Sequence, residues 1–403
     1  MMTEYVKGIP FFTSNPIDKQ YKYLSKNIET EVLIIGGGAT GAICGYYFSK
    51  NNIPAVIIEK NRIGYCSTSV TTALLQYELD STFSQLIPIL GKENVEKAYK
   101  LGDFALKEIN KIINDYGNEC EYHERDTLFY SNDILDKKLI EEEFNLRKEV
   151  GFHVELINSE NSKYNFPLKY GVLARNGGAE INPYKFTRQL LNISSNMGVK
   201  IYENTEAQKI NYFSNYIEVE TSFGFKIKCK KIIVATGYNT ELFTNKNFAT
   251  KYTTFNLVTN PLDTEPWSNK VLIRNTSDPY NYLRSTSDNR IIIGGEDINF
   301  KDINNEVLCN KQYSILENKL RSMFPNIKNI EIQYKYCGCF ASTKDNLGFI
   351  GPSKKTNENL WYCLGYGANG VLFSILGGLM LSKLYKKDYD SNMELFSVDR
   401  FDN

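Results

Sequence analysis

The chain predicts a mixed α/β (α+β) fold: a parallel sheet with a glycine-rich turn between strand and helix, joined to a second, β-rich region. Three stretches predict it. In Thr30–Lys60 an apolar strand over Glu31–Ile35 enters Gly36-Gly37-Gly38-Ala39-Thr40-Gly41, a helix follows over Ala42–Ser49, and a second apolar strand over Ala55–Ile58 ends in Glu59. Residues 251–300 hold four short strand-like runs separated by turn residues. Near the C-terminus the strand Asn359–Leu364, the turn Gly365-Tyr366-Gly367-Ala368-Asn369-Gly370 and the helix Val371–Tyr385 repeat the strand, glycine-rich turn and helix order.

The first stretch binds a dinucleotide by its chemistry. Gly36 permits the tight turn, Gly38 lets backbone approach a pyrophosphate, and Gly41 lets helix pack on strand. The helix start turns unpaired N–H groups toward the phosphates. Glu59, about twenty residues on, accepts from ribose hydroxyls. A glycine-rich turn without a ligand would not need the strand before, the helix after and the acid beyond.

Taken in order, residues 1–27 read as an irregular arm that packs Phe11, Phe12, Tyr21 and Leu24 onto the body. After Lys60, the hydroxyl run through Ser67, Thr71 and Thr72 into Ala73 and Leu74 predicts a loop feeding a helix. Glu93–Tyr116 is an amphipathic helix with Leu101, Phe104, Ala105, Ile109, Ile112 and Ile113 on its apolar face. A strand holds Thr127–Tyr130, and Lys137–Val150 is a helix closed by Gly151. Gly177–Pro183 leads into a helix over Tyr184–Met197. Strands follow at Val199–Tyr202 and Thr205–Ile210, with a hairpin of Ile217–Glu220 and Phe225–Lys230. Lys226, Lys228 and Lys230 alternate onto one solvated face. The strand Lys231–Ala235 ends in Thr236-Gly237. Beyond it lie Thr253–Thr259, Val271–Asn275, Tyr280–Ser285 and Arg290–Gly295, with Asp288-Asn289 as a turn, then a helix Gln312–Met323 and a strand Ile330–Ala341.

The length of 403 residues favours two domains, and 42% hydrophobic content suits a folded, globular chain. Basic and acidic residues balance at 47 each, which gives no reason to invoke nucleic acid or an anionic membrane. No basic segment followed by a long apolar one opens the chain, and the apolar run Val371–Leu381 is too short to span a bilayer. Eight cysteines without framework spacing fit free thiols in a reducing cytoplasm, the expected location. No metal site is expected, and the only two histidines, His123 and His153, read as surface residues.

In this order the motifs resemble those of the FAD-dependent oxidoreductases of the D-amino-acid oxidase, glycine oxidase and sarcosine oxidase superfamily. The resemblance runs from about Thr30 to Leu384. It rests on IIGGGATG with Glu59, Thr71–Leu74, Gly178–Pro183, IIVATG at Ile232–Gly237, YLRSTSDNRIIIGG at Tyr282–Gly295, Tyr336-Cys337-Gly338 with Thr343-x-Asp345, and GYGANG. It implies a glutathione-reductase-like, Rossmann-type FAD domain from three separated stretches (28–78, 171–240 and 336–390). A second, antiparallel β-sheet substrate domain would come from 79–170 and 241–335. It implies noncovalent FAD on Gly36, Gly38, Ala39, Thr40, Gly41, Glu59 and Lys60, then Ser67, Thr71, Thr72 and Ala73, then Ala207, Thr236 and Gly237. Gly338 and Gly365, Gly367, Ala368, Asn369, Gly370 and Val371 complete the set. Gly338 stands where some members attach flavin through a cysteine, with Cys337 and Cys339 beside it.

The reaction it implies is oxidation of the C–N bond of an amino acid or related amine, by hydride transfer to flavin and hydrolysis of the imine. A carboxylate-bearing substrate calls for an arginine fork. Arg284 is the candidate, with Tyr282 and Tyr280 on its strand face at period two. Arg290 reads as a hairpin charge. The alternatives are a 2-hydroxy-acid or polyol-phosphate flavin dehydrogenase on the same fold, or a non-catalytic flavin-binding subunit of a larger complex. The electron acceptor stays open between oxygen, a quinone and a protein.

Overall fold

The computed structural model describes residues 5–16 and 20–402. The first residues of the arm, 1–4, on which the reading of the N-terminal leader partly rests, lie outside them.

A six-stranded sheet has the order Phe349–Pro352, Leu360–Leu364, Lys231–Val234, Val32–Ile35, Ala55–Ile58, Lys200–Tyr202, and all its pairings are parallel except that of Phe349–Pro352. Val32–Ile35, Ala55–Ile58 and Leu360–Leu364 are buried along their whole length because both faces of the sheet are covered. Ile34, Ile57 and Ile233 pack toward the helices Ala39–Lys50, Pro183–Asn196 and Gly370–Tyr385. Leu33, Val56, Ile232 and Val234 meet Ile217, Val219 and Ile227 from a four-stranded sheet on the other side.

A ten-stranded sheet runs from Val6–Gly8 through Ile332–Ser342, Thr250–Thr259, Ile291–Asn299, Tyr282–Ser285, Leu272–Asn275, His123–Ser131 and Tyr170–Glu180 to Leu74–Gln76, with Val154–Asn158 paired to Tyr170–Glu180 off this path. It is antiparallel apart from Leu272–Asn275 on His123–Ser131. The helix Glu306–Met323 lays Leu316 and Leu320 on Phe255, Leu257 and Ile293. At the other end, buried Arg147 of the helix Lys137–Val150 reaches Glu78 at 2.6 Å and Glu143 at 2.7 Å, and Thr127 Oγ1 donates to Glu78 at 2.6 Å. This network fixes the segment after Leu74–Gln76, which borders the site described below.

Two local expectations change. Thr71–Leu74 does not start a helix: a single turn, Ser67–Val70, comes earlier, and Leu74–Gln76 is a strand paired with Gly178–Glu180. That tertiary partner, and Ala73 at φ +54, override the local pattern. Phe104 is exposed, because the buried stripe of the helix Lys92–Tyr116 passes through Val95, Tyr99, Gly102, Leu106 and Ile109. Leu74–Gln76, Tyr170–Glu180 and Ile332–Ser342 lie in the ten-stranded sheet. The arm packs as an edge strand, Val6–Gly8, with Tyr5 and Phe12 buried.

Candidate active site

A cleft opens where the two glycine-rich turns face each other. Gly36 leaves its strand at φ +118, where a Cβ would overlap the Ala235 carbonyl, and a Cβ on Gly41 would overlap the carbonyl oxygen of Gly36. A Cβ on Gly38 would meet only Thr68 Oγ1, at 3.1 Å, so that side of the helix start is open to a ligand. Thr68 Oγ1 accepts from Ala39 N at 3.0 Å. The hydroxyls of Thr40 and Ser374 lie 2.8 Å apart and tie the first helix to the last. Ala39, Thr40, Ser67, Thr68, Thr71 and Thr72 line one wall, and Gly365, Gly367, Ala368, Gly370 and Val371 line the other. Asn369 is buried, and its Nδ2 donates to the Gln76 carbonyl at 2.7 Å.

Glu59 sits past the first turn. Its two oxygens accept from Gly37 N at 2.8 Å and Asn61 N at 2.9 Å. Burial raises its pKa, and those two bonds oppose the rise. Each oxygen retains a lone pair for a hydroxyl donor. Thr205 N donates to the Glu59 carbonyl at 2.8 Å, which sets the strand Ala207–Tyr212 off from the same corner. Lys60 is exposed. Thr236 Oγ1 is buried without a partner, and the Gly237 carbonyl accepts from Tyr366 Oη at 2.8 Å. Gly338 lies outside the cleft lining: a Cβ there would run into Val70 at 2.6 Å, so its bare backbone seats the Ser67–Val70 turn. Cys339 lines the cleft, and burial pushes its thiol up to about 12.

The far end of the cleft is lined by Tyr280 and Tyr282, with Arg274, Thr254 and Asp297. Arg284 is not there. Its guanidinium, 4% exposed, donates to the carbonyls of Thr72 at 3.2 Å, Ala73 at 3.2 Å and Ile181 at 2.9 Å, and it stands 3.7 Å from Glu180. It fastens the turn beneath the cleft, and the Phe12 ring lies 5.6 Å from it. Burial lowers its pKa, against the pull of Glu180. Arg290 is a hairpin charge, 2.8 Å from Asp288.

Arg274, which the sequence reading did not single out, lies at this end of the cleft. It pairs across strands with Tyr282 and so shares its face. Nη1 donates to the carbonyls of Leu79 at 2.5 Å and Asp80 at 2.9 Å. The Phe129 ring lies 4.7 Å from the guanidinium. Nε and Nη2, the two donors of one fork edge, are buried with no partner in a side chain 3% exposed. Asp80 accepts from Tyr280 Oη at 2.7 Å and from Ala368 N at 3.1 Å. The signal was present in the sequence: a charged residue at an inward position of an otherwise apolar strand.

The residues present fit FAD. The cleft joins two helix N-termini, each favouring negative charge, one beside the open face of Gly38 and one beside the tyrosines. Among the described residues no cluster of metal-ligating side chains occurs, and no helix is long and apolar enough to cross a membrane.

Residues 31–384 match the profile described as FAD dependent oxidoreductase. A putative Rieske 2Fe-2S iron-sulfur protein of Bacillus subtilis is 24% identical over 391 residues, 94% of this chain and 73% of that protein. The gamma-glutamylputrescine oxidoreductase of Escherichia coli is 22% identical over 400 residues, 96% of this chain and 90% of that protein. The crystal structure of glycine oxidase from Geobacillus kaustophilus superposes with a TM-score of 0.76 at 17% identity, covering 92% of this chain and 99% of that one.

Proposed function

Because this chain belongs to the family of FAD-dependent oxidoreductases, we propose that it oxidises the C–N bond of an amino acid or a related carboxylate-bearing amine. The observation that carries the reading is the buried, unpaired fork edge of Arg274, a residue lining the end of the cleft. A buried guanidinium with two adjacent free donors pairs bidentately with a carboxylate. Tyr280 and Tyr282 wall the space between that fork and the second glycine-rich turn. FAD held in the cleft would supply the hydride acceptor for the carbon bearing the amine, and the imine product would add water to release carbonyl compound and amine.

The chain's own groups bind and orient. Ala39, Thr40 and the open face of Gly38 receive the pyrophosphate, and Glu59 the ribose hydroxyls. The helix start at Gly370 lines the cleft, and its positive end would favour the negative charge of a reduced flavin held there. Arg274 anchors the substrate, so that its amine-bearing carbon is held at a fixed place along the cleft. The fork would also pair with phosphate, the polyol-phosphate alternative. Asp80 and Asp297 stand at the same end of the cleft and repel a dianion, which favours a monocarboxylate amine.

Anaerobic mixing of the FAD-loaded protein with amino acids, N-methyl amino acids, 2-hydroxy acids and polyol phosphates tests the reading. Amino compounds are expected to bleach the flavin band, and reoxidation in air then separates oxidase from dehydrogenase. Bleaching by hydroxy acids or polyol phosphates alone overturns it.

A further inference from the structure

Two adjacent carboxylates on one strand are sent to different places. Across the pairing of Ile291–Asn299 with Thr250–Thr259, Gly295 faces Phe255 and Ile298 faces Thr253, so Glu296 and Asp297 together oppose Thr254 alone. This is a β-bulge, and its first extra residue, Glu296, has φ +58. The kink turns Glu296 toward the helix Glu306–Met323, where it pairs with Lys319 and accepts from Asn281 Nδ2 at 3.0 Å. Asp297 instead lines the cleft. Its Oδ1 is buried with no hydrogen-bond partner, and it makes no ion pair among the described residues. A buried carboxylate without a cation is costly to keep. A bulge that re-aims such a group into a binding cleft reads as a functional device.

The groups facing Asp297 are the Thr254 hydroxyl, which lowers its pKa, the charges of Asp80 and Glu296, which raise it, and Tyr282, whose hydroxyl lies 3.0 Å from Thr254 Oγ1. Arg274 lines the same end of the cleft but makes no ion pair with it.

We propose that Asp297 is the cation-binding and proton-accepting carboxylate of this cleft, receiving the alkylammonium group of a primary or secondary amine. Resting on the amine reading above, this assigns a second anchor to the substrate: carboxylate to Arg274, ammonium to Asp297. The step is a proton transfer. The ammonium N–H bond breaks, the proton joins a carboxylate oxygen of Asp297, and the nitrogen keeps its lone pair, so the amine stands neutral with no change of oxidation state. Burial, its largest cause, raises the carboxyl of Asp297 to about 6. The carboxylate is therefore present above that pH and lost below it, so cation binding strengthens as pH rises through about 6.

The test uses the FAD-loaded full chain, with n-propylammonium as probe, n-propanol as its neutral counterpart, and calorimetric titration as readout. Wild type is expected to bind the ammonium in preference to the alcohol and to lose about tenfold or more of that affinity between about pH 8 and about pH 5. Asp297→Asn removes the preference and flattens the profile, with Asp297→Glu restoring part of both, each variant being checked first for bound FAD. Equal binding of the two probes by wild type, or an unchanged pH profile in Asp297→Asn, overturns the proposal. Because binding needs no turnover, the arms separate. Ammonium bound through Asp297 with no amine reducing the flavin sinks the amine-oxidation reading. Reduction by amines with the same pH profile in Asp297→Asn sinks the role of Asp297.

Discussion

Arg274 and Arg284 are both buried arginines on neighbouring antiparallel strands, and their partners separate their roles. Arg284 gives its donors to three carbonyls of the cleft floor; Arg274 holds two donors open. Arg274→Lys therefore keeps the charge and loses the fork. Its flavin content is expected to match wild type while binding of a carboxylate-bearing substrate weakens about tenfold to a hundredfold, read from the anaerobic titration. Arg284→Met is expected to do the reverse, loosening the Thr72–Ala73 turn. It should destabilise the fold by about 1–3 kcal/mol and lower retained FAD, since the carbonyls of Thr72, Ala73 and Ile181 lose their donor while Glu180 keeps Arg125 at 2.8 Å. Denaturant midpoints and flavin absorbance measure both. Sequence singled out an arginine on this sheet face one strand away from Arg274, because period two names a face and not which of several paired strands reaches the cleft.

At the scale of elements, the first glycine-rich turn tolerates no bulk where helix meets strand. Gly41→Ala forces a Cβ against the Gly36 carbonyl, so the helix start must shift away from the phosphate position. Overpacking of this kind costs about 1–3 kcal/mol, and the variant is expected to fold yet purify with little flavin, read from its visible spectrum. That turn was legible because strand, glycines, helix and acid all sit within one local window. So was the hairpin turn, where Asn289 adopts φ +60. The helix Phe83–Leu90 was missed although its cap was written out: Thr82 accepts from Gln85 N at 3.4 Å and Gln85 Oε1 accepts from Thr82 N at 2.9 Å. Pro88 within it masks the pattern. The bulge at Glu296 and Asp297 leaves no local mark, since it exists only relative to the Thr250–Thr259 partner.

At the scale of the molecule, the cleft is built from stretches far apart in the chain: 36–41, 67–72, 254–297 and 365–374. The family resemblance implied a nucleotide-binding domain assembled from separate pieces. It could not foretell which strands cross into the ten-stranded sheet, because pairings such as Leu74–Gln76 with Gly178–Glu180 join segments with no periodic relation. Few bonds cross the cleft directly: Thr40 to Ser374, Asn369 to Gln76, and Ala368 to Asp80. A cofactor lying between these walls contacts both and is absent from the unfolded chain, so its binding energy adds to stability. At a hundredfold excess over its Kd the gain is about 2.7 kcal/mol, which raises Tm by a few degrees in a chain of this size. Thermal unfolding of FAD-stripped protein across a series of added FAD is expected to show Tm climbing with the logarithm of concentration. A single transition rising as a whole means that FAD couples the two sheets into one cooperative unit. A split transition, with only one part responding, means that the nucleotide half alone feels the cofactor and that the far wall closes independently.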